Sequence, residues 1–586
     1  MREGGDVDHL LEEFPAVSTT EWESAIARDL RGADYEKRLI WHSEEGLAVK
    51  PYYRAEDLKD LACLDAAPGA FPYRRGTRTT GDWQIREEID AADVESANRA
   101  ACTAVAAGAE GIAFSGLVVE RGDELDAVLA NLDEIPVHFE RADERLLRLL
   151  IEWPGEGKSA GRLSTGCDAT ASVDFAAKVI GDAPNGFVPF TIHGEAFEEA
   201  GATAVEEVGL TAAAGVDFLA AVQERGVKAE RTAAALEFSF GMGSQFFFQI
   251  AKLRAFRMVW ARVIESFGGT RSGARARIAA RTSRWNKTVY DPHVNILRAT
   301  TEAMAAVLGG ADAVTVAPFD ACYKQPDEAS RRLARNTQLL LKHEAWMGRV
   351  ADAGGGSYFI EALTDFLARE GWKRMQEIET RGGYRKAQAE GLIARTLGRS
   401  MAAREKAVAL RRRVLVGTNQ FANPAERALG RVEAAQMSET RRGATPYEEM
   451  RLRTERHAAL TGLTPRVLLA EVGDVKMRTA RSNFAANFFA CAGFETVTRR
   501  FRKAAEIAAA EGDLIVLCSA NAEYAAITAE LMAKLKELGR TTPVIVAGTP
   551  EDAEKLAAKG VADFVHVRSN PVEVLTKWQE RMGIKS

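Results

Sequence analysis

The chain has 586 residues, 46% of them hydrophobic and 27% charged, with a formal net charge of -6. That apolar share can fill more than one core, and the length suggests roughly two to four domains. A surface that tracks nucleic-acid phosphates needs a basic excess, so the negative balance argues against a nucleic-acid partner.

The six cysteines, Cys63, Cys102, Cys167, Cys322, Cys491 and Cys518, are scattered, with no CxxC pair and no histidine at ligand spacing. Reduced thiols and no metal site are expected. The amino terminus, MREGGDVDHLLEEF, is acidic and lacks an apolar core, and no later run is long enough to span a bilayer. The expectation is a cytoplasmic chain that is neither secreted nor inserted into a membrane.

Residues 1–69 read as a helical arm. Ser18 or Thr19 can cap a helix beginning at Thr20 that carries Trp22, Ile26 and Leu30 at fourfold spacing. Such a stripe must be buried, on a partner chain or on the body of the protein itself.

Over residues 70–400 a short apolar strand, a turn and an amphipathic helix recur. The strand candidates are Gly111 to Ser115, Ile135 to Glu140, Gly161 to Thr165, Phe187 to His193, Leu236 to Phe240, Arg277 to Thr282, Ala313 to Ala317 and Met347 to Asp352. Eight such units fit a closed (β/α)8 barrel, although periodicity alone leaves an open α/β sheet possible. The unit from Leu236 to Gly268 organises the rest: Gly241 and Gly243 supply a turn, and Ile250, Leu253, Arg257, Trp260, Ile264 and Phe267 share one helix face. The helix after Asp291 is punctuated by Asp291 as N-cap, Pro292 in its first turn, and Gly309 and Gly310 at its end.

Residues 401–464 read as a helical linker rich in Ala, Arg and Glu, with Arg411, Arg412 and Arg413 as a solvated helix end. Over residues 465–586, RVLLAEV, ETVTRRF, DLIVLCS, PVIVAG and ADFVHV are five short strands separated by helices such as Arg478 to Ala492 and Ala522 to Leu538. Five alternating units predict a flavodoxin-like doubly wound sheet.

One ordered set of motifs goes further. GMGSQFFFQIAKLRAFRMVWARVIESFG, then RTSRW at Arg281 to Trp285 and DPHVNILRATTEAMAAVLGGADAV from Asp291, resemble the barrel core of the methylmalonyl-CoA mutase family. WQIREEI from Trp83, EAGATA from Glu199, RLARNTQLLLKHE from Arg332 and LVGTNQF from Leu415 extend the resemblance colinearly over most of the chain. The resemblance implies a (β/α)8 TIM barrel followed by a cobalamin-binding-type domain.

Set against the family pattern, the ligand positions have changed. Members that bind cobalamin carry D-x-H-x-x-G after the first strand of the second domain, where a neutral imidazole ligates cobalt. Here that stretch runs from Asp474 to Thr479, with Lys476 at the histidine and Thr479 at the glycine. An ammonium has no lone pair to offer unless burial strips its proton. The family's S-x-L segment appears as Cys518, Ser519 and Ala520, Asn521, Glu523 and Tyr524 replace small residues, and Ala547 and Gly548 stand for a glycine pair. At the barrel, RGTRTTGD before Trp83 lacks the family's tyrosine, and no arginine occurs between Arg162 and Arg225 to meet a substrate carboxylate.

Other candidates are weighed against plain structural roles. His193 is the candidate substrate-binding histidine, standing six residues before Glu199, a wider gap than in catalytic chains. His293 reads as first-turn helix surface. Lys252, Arg254 and Arg257 could face a CoA phosphate or pair with carboxylates, and Phe246, Phe247 and Phe248 read as core.

The resemblance thus implies the small, β-type subunit of a heterodimeric mutase, an isomerase interconverting methylmalonyl-CoA and succinyl-CoA, with no catalytic or cofactor-binding residue on this chain. Adenosylcobalamin and the acyl-CoA would be bound by the large, α-type partner subunit. Two alternatives remain open: an active acyl-CoA mutase with unusual cofactor ligation, and a scaffold or chaperone for cofactor loading, whose nucleotide-driven version the lack of a P-loop motif disfavours.

Overall fold

The computed structural model describes residues 16–153, 162–168, 172–433 and 441–584. It divides into two compact units, Met1–Asp60 and Leu61–Ser586. In the first, Ser18 caps the helix Thr19–Asp29 through a reciprocal box: its hydroxyl accepts the Glu21 N–H while the Glu21 carboxylate accepts the Ser18 N–H at 2.8 Å. None of this helix is buried within its unit. A two-residue antiparallel ladder pairs Trp41–His42 with Ala48–Val49.

The second unit opens with eight parallel strands: β1 Gln84–Ile89, β2 Gly111–Phe114, β3 Val137–Phe139, β4 Leu163–Thr165, β5 Phe190–His193, β6 Leu236–Met242, β7 Arg277–Thr282 and β8 Ala313–Thr315. They follow one another in the order β4-β3-β2-β1-β8-β7-β6-β5. Parallel bridges from Ser164 to Val188 and from Asp168 to Thr191 join β4 to β5, leaving a nearly closed α/β barrel of the TIM type. Gly161, the expected start of β4, lies outside the described residues.

One expected strand is corrected. Met347–Arg349 forms a 3-10 turn and no strand follows it: Trp346 (φ 57°), just before the expected strand, and Asp352 (φ 49°), at its end, are left-handed. Its place between β2 and β8 belongs to β1, within the WQIREEI motif. The helix after Asp291 is also shifted: it runs Val294–Leu308 with His293 as N-cap, Asp291 being left-handed at φ 51°.

β6 and its helix show how the barrel is built. Phe238 faces outward onto Trp260 (4.6 Å between ring centroids) and Phe256 (4.7 Å), and Phe240 onto Phe256 (4.8 Å), so alternate side chains of the strand pin the helix Phe246–Ser266. Gly241 continues the strand instead of turning it. A Cβ there would meet Glu198 at 3.0 Å, so close approach accounts for the glycine.

Beyond the barrel come the helices Leu392–Ala409 and Thr445–Thr461, then a five-stranded parallel sheet: β9 Arg466–Glu471, β10 Glu495–Arg500, β11 Leu514–Cys518, β12 Val544–Ala547 and β13 Asp563–Val565. Its order, β10-β9-β11-β12-β13, and its helices on both faces are those of a flavodoxin-like sheet. Val467 and Leu469 face Phe488, Leu575 and Trp578, while Leu468 and Ala470 face Ile507, Leu531 and Leu556. The first of these cores also contains Trp285, in the loop leaving β7, so the linker helices tie the sheet to the carboxyl-terminal mouth of the barrel.

Candidate functional site

Barrels and doubly wound sheets both take ligands at the carboxyl ends of their strands. Inside the barrel, alternation along each strand turns Arg86, His138, Thr191, His193, Glu237 and Arg281 toward the axis. Arg86 grips Glu237 with two hydrogen bonds, at 2.8 and 3.2 Å, and Arg277 reaches the same carboxylate at 3.2 Å. Arg281 links Glu140 (3.0 Å) to Glu88. The space left among these groups is about 10 Å³, room for one water at most.

The charges are tuned by their neighbours. Burial opposes ionisation of Glu237, but Arg86, His138 and Arg277 hold its carboxyl well below the usual carboxylate range. Burial also opposes ionisation of Glu140, which Arg281 brings down to about 2. The two histidines separate. Burial, aided by Arg86, lowers His138 to about 4, leaving it neutral beside the Ser164 hydroxyl at 2.9 Å. For His193 burial is outweighed by Glu195, the Gly166 carbonyl and Glu140, which raise it to about 9.

His193 has both ring nitrogens engaged, Nδ1 with Glu195 and Nε2 with the Gly166 carbonyl, each at 2.9 Å. A substrate would have to displace one of them. Tyr73 bonds the Arg271 carbonyl at 2.6 Å, in the segment leading into β7 and hence at the end of the barrel opposite the mouth. Lys252, Arg254 and Arg257 are fully buried and used internally: Lys252 on Glu207 (2.6 Å), Arg254 on Asp352 (2.9 Å) and Glu361 (3.0 Å), Arg257 on the carbonyls of Tyr73, Gly309 and Gly310. Phe248 is core, but Phe247 is exposed and meets Phe359 edge-on. His293 is exposed against Phe319. Arg411 lies over Phe484 and Phe488, and Arg413 over Trp285, so two of the three arginines expected at a solvated helix end cover aromatic rings instead.

In the second sheet the ligand crevice lies where strand order reverses, between β9 and β11. The backbone N–H groups of Asp474 and Ala520 converge there, and both donate to one carboxylate oxygen of Glu523, at 3.2 Å each, with the Ser519 hydroxyl donating to the same oxygen. These bonds hold the Glu523 carboxyl below its usual range, Ser519 contributing most. Beside it, Arg481 donates to the Ala547 carbonyl and, at 2.7 Å, to Asn521, so that a Cβ at Gly548 would fall on its guanidinium. Tyr524 closes the floor, its hydroxyl donating to the Ala547 carbonyl at 2.6 Å and accepting the Ser519 N–H at 3.0 Å.

Asp474 caps the helix Val475–Ala490 by accepting the Met477 N–H at 2.8 Å. Lys476 is exposed in the first turn and Thr479 half-buried in the second. Sequence reasoning found these positions but missed Glu523 and Arg481 as the groups that fill the crevice, since their roles depend on contacts across loops. It also missed the charged barrel axis, which the alternation in WQIREEI and LEFSF could have shown. Among the described residues, no three His, Cys, Asp or Glu side chains converge as metal ligands, and no helix is long and apolar enough to cross a membrane.

The sequence pattern described as methylmalonyl-CoA mutase matches residues 42–122 and 171–481. The chain belongs to the methylmalonyl-CoA mutase family. It is 35% identical to a methylmalonyl-CoA mutase small subunit of Porphyromonas gingivalis, over 99% of each chain, and 34% identical to one of Streptomyces virginiae, over 98% of each. Similarity to a methylmalonyl-CoA mutase of Rhizobium meliloti is 29% identity over 68% of this chain and 63% of that protein. Both small-subunit matches run nearly end to end.

A cobalamin fits poorly among these residues. Its nucleotide tail would have to enter a crevice in which Glu523 already takes the converging N–H groups and Arg481 covers Gly548. Lys476, at the family's histidine position, is exposed in the first turn of its helix and presents no imidazole to cobalt.

Proposed function

We propose that this chain is the small subunit of a heterodimeric, adenosylcobalamin-dependent methylmalonyl-CoA mutase, and that it stabilises the large subunit without catalysing the isomerisation itself. One observation carries the reading: the crevice of the second sheet is filled by the chain's own Glu523 and Arg481, while charged pairs such as Arg86 and Glu237 pack the barrel axis. No catalytic residue is assigned, and Asp474, Lys476, Thr479, Ser519 and Gly548 stand as degenerate cofactor positions. On this reading His193 belongs to the charge network of the axis.

The cofactor and the acyl-CoA belong to the large subunit. Two barrels of common ancestry can keep a pseudo-symmetric interface after one has lost its site, which gives the inactive chain a role in holding the other. We further propose an arm over 1–69, a barrel over 70–400, a linker over 401–464 and a cobalamin-binding-like domain over 465–586, in a cytoplasmic complex. Co-expression with a large-subunit chain followed by size exclusion tests the assembly, with a persistent one-to-one complex expected. Isomerase turnover by the purified small chain alone would refute the reading.

A further inference from the structure

The barrel axis is shut, yet its mouth is open. At the carboxyl ends of β1, β2, β3, β7 and β8 lies a cavity of about 230 Å³, far larger than the space within the axis. This is below the usual range of roughly 300–1,000 Å³ for ligand pockets, so its occupant is small.

Five cations line the cavity: Arg141, Arg284, Lys287, Arg331 and Arg442. Two are already neutralised, Lys287 by Glu302 and Arg442 by Glu448, each at 2.7 Å. Arg284 has only distant partners, Glu88 at 3.7 Å and Glu199 at 3.9 Å. Among the described residues, neither Arg141 nor Arg331 has a carboxylate within 4.0 Å. Arg331 donates to the Pro326 carbonyl at 2.8 Å.

Of the two carboxylates of the wall, Glu88 is held by Arg281, whereas Asp90, which accepts the neutral Gln325 amide at 3.2 Å, keeps its charge and offsets one of the three remaining cations, leaving a net positive wall. Between the guanidinium groups, Ala317, Pro318, Ala321 and Pro326 form an apolar surface. Guanidinium groups match the planar oxygen pairs of carboxylates and phosphates, and a short carbon body suits the apolar wall.

We propose that the barrel mouth binds a compact organic dianion, a phosphate monoester or a dicarboxylate with a short carbon chain, held by Arg141 and Arg331. The site does not depend on cobalamin, and it gives the chain a ligand of its own.

Isothermal titration of the full chain at low ionic strength, in separate arms with glycerol 3-phosphate and with malonate, tests this and distinguishes the two chemistries. Saturable one-site binding is expected in at least one arm, weakened roughly tenfold or more by Arg331→Gln and by Arg141→Gln. Arg148→Gln, at an exposed helix position paired with Glu144, serves as the control and leaves affinity unchanged. Thermal melts of each variant establish that it folds. No saturable heat at millimolar concentration in either arm, or binding that survives both substitutions, overturns the proposal.

Discussion

The barrel axis, which leads up to the mouth where such a fold takes ligands, and the crevice of the second sheet are both filled from within, but by different means. In the axis the filling side chains stand on the strands themselves, so the Arg86 and Glu237 pair is part of the barrel's framework. In the crevice the fillers, Glu523 and Arg481, come from a loop and from a helix face at the rim. Closure built into strands cannot be undone without cost to folding, whereas closure by rim side chains can be reversed.

The largest expected effect follows from that difference. Glu237→Ala leaves Arg86 buried without its partner and should cost about 3–5 kcal/mol, read as a lower midpoint of urea unfolding. Glu523→Gln, by contrast, should change stability by no more than about 1 kcal/mol, because a neutral amide oxygen can still accept from Asp474 and Ala520. Equal losses from the two substitutions would remove the distinction.

The axis also carries a pH signature. His193 is raised from its ordinary 6.5 to about 9 in the folded chain, so between those values the folded state holds a proton that the unfolded state has released. Its contribution to stability is fully present below pH 6.5 and is lost as pH rises through 9. His193→Gln should flatten unfolding midpoints over that window, by roughly 3 kcal/mol at most. His138 acts oppositely, since its folded value near 4 makes stability fall as pH drops from 6.5 toward 4.

The same two regions show what residues alone could reveal. All five strands of the second sheet were legible because RVLLAEV, DLIVLCS and PVIVAG are apolar runs bounded by turns. β1 was not, because its charged residues suggest a surface until Arg86 is seen turned into the axis against Glu237. Met347 to Asp352 misled in the opposite way, offering apolar residues between left-handed Trp346 and Asp352, where the chain turns instead of extending. The altered positions Lys476 and Thr479 were visible in the motif. The self-occupation of the crevice was not, since Glu523 reaches Asp474 across 49 residues of sequence.

The smallest expected effect concerns cofactor affinity. Restoring the family's histidine with Lys476→His should leave corrinoid binding absent, because Glu523 and Arg481 still fill the space beside it. Retention of a corrinoid by that variant, read from its absorption spectrum, would show that ligation and not room is what this chain lacks.

The most direct test uses the unaltered chain. Incubated with adenosylcobalamin in the absence of any partner and then desalted, it should emerge colourless. A corrinoid spectrum at one equivalent per chain would contradict the account.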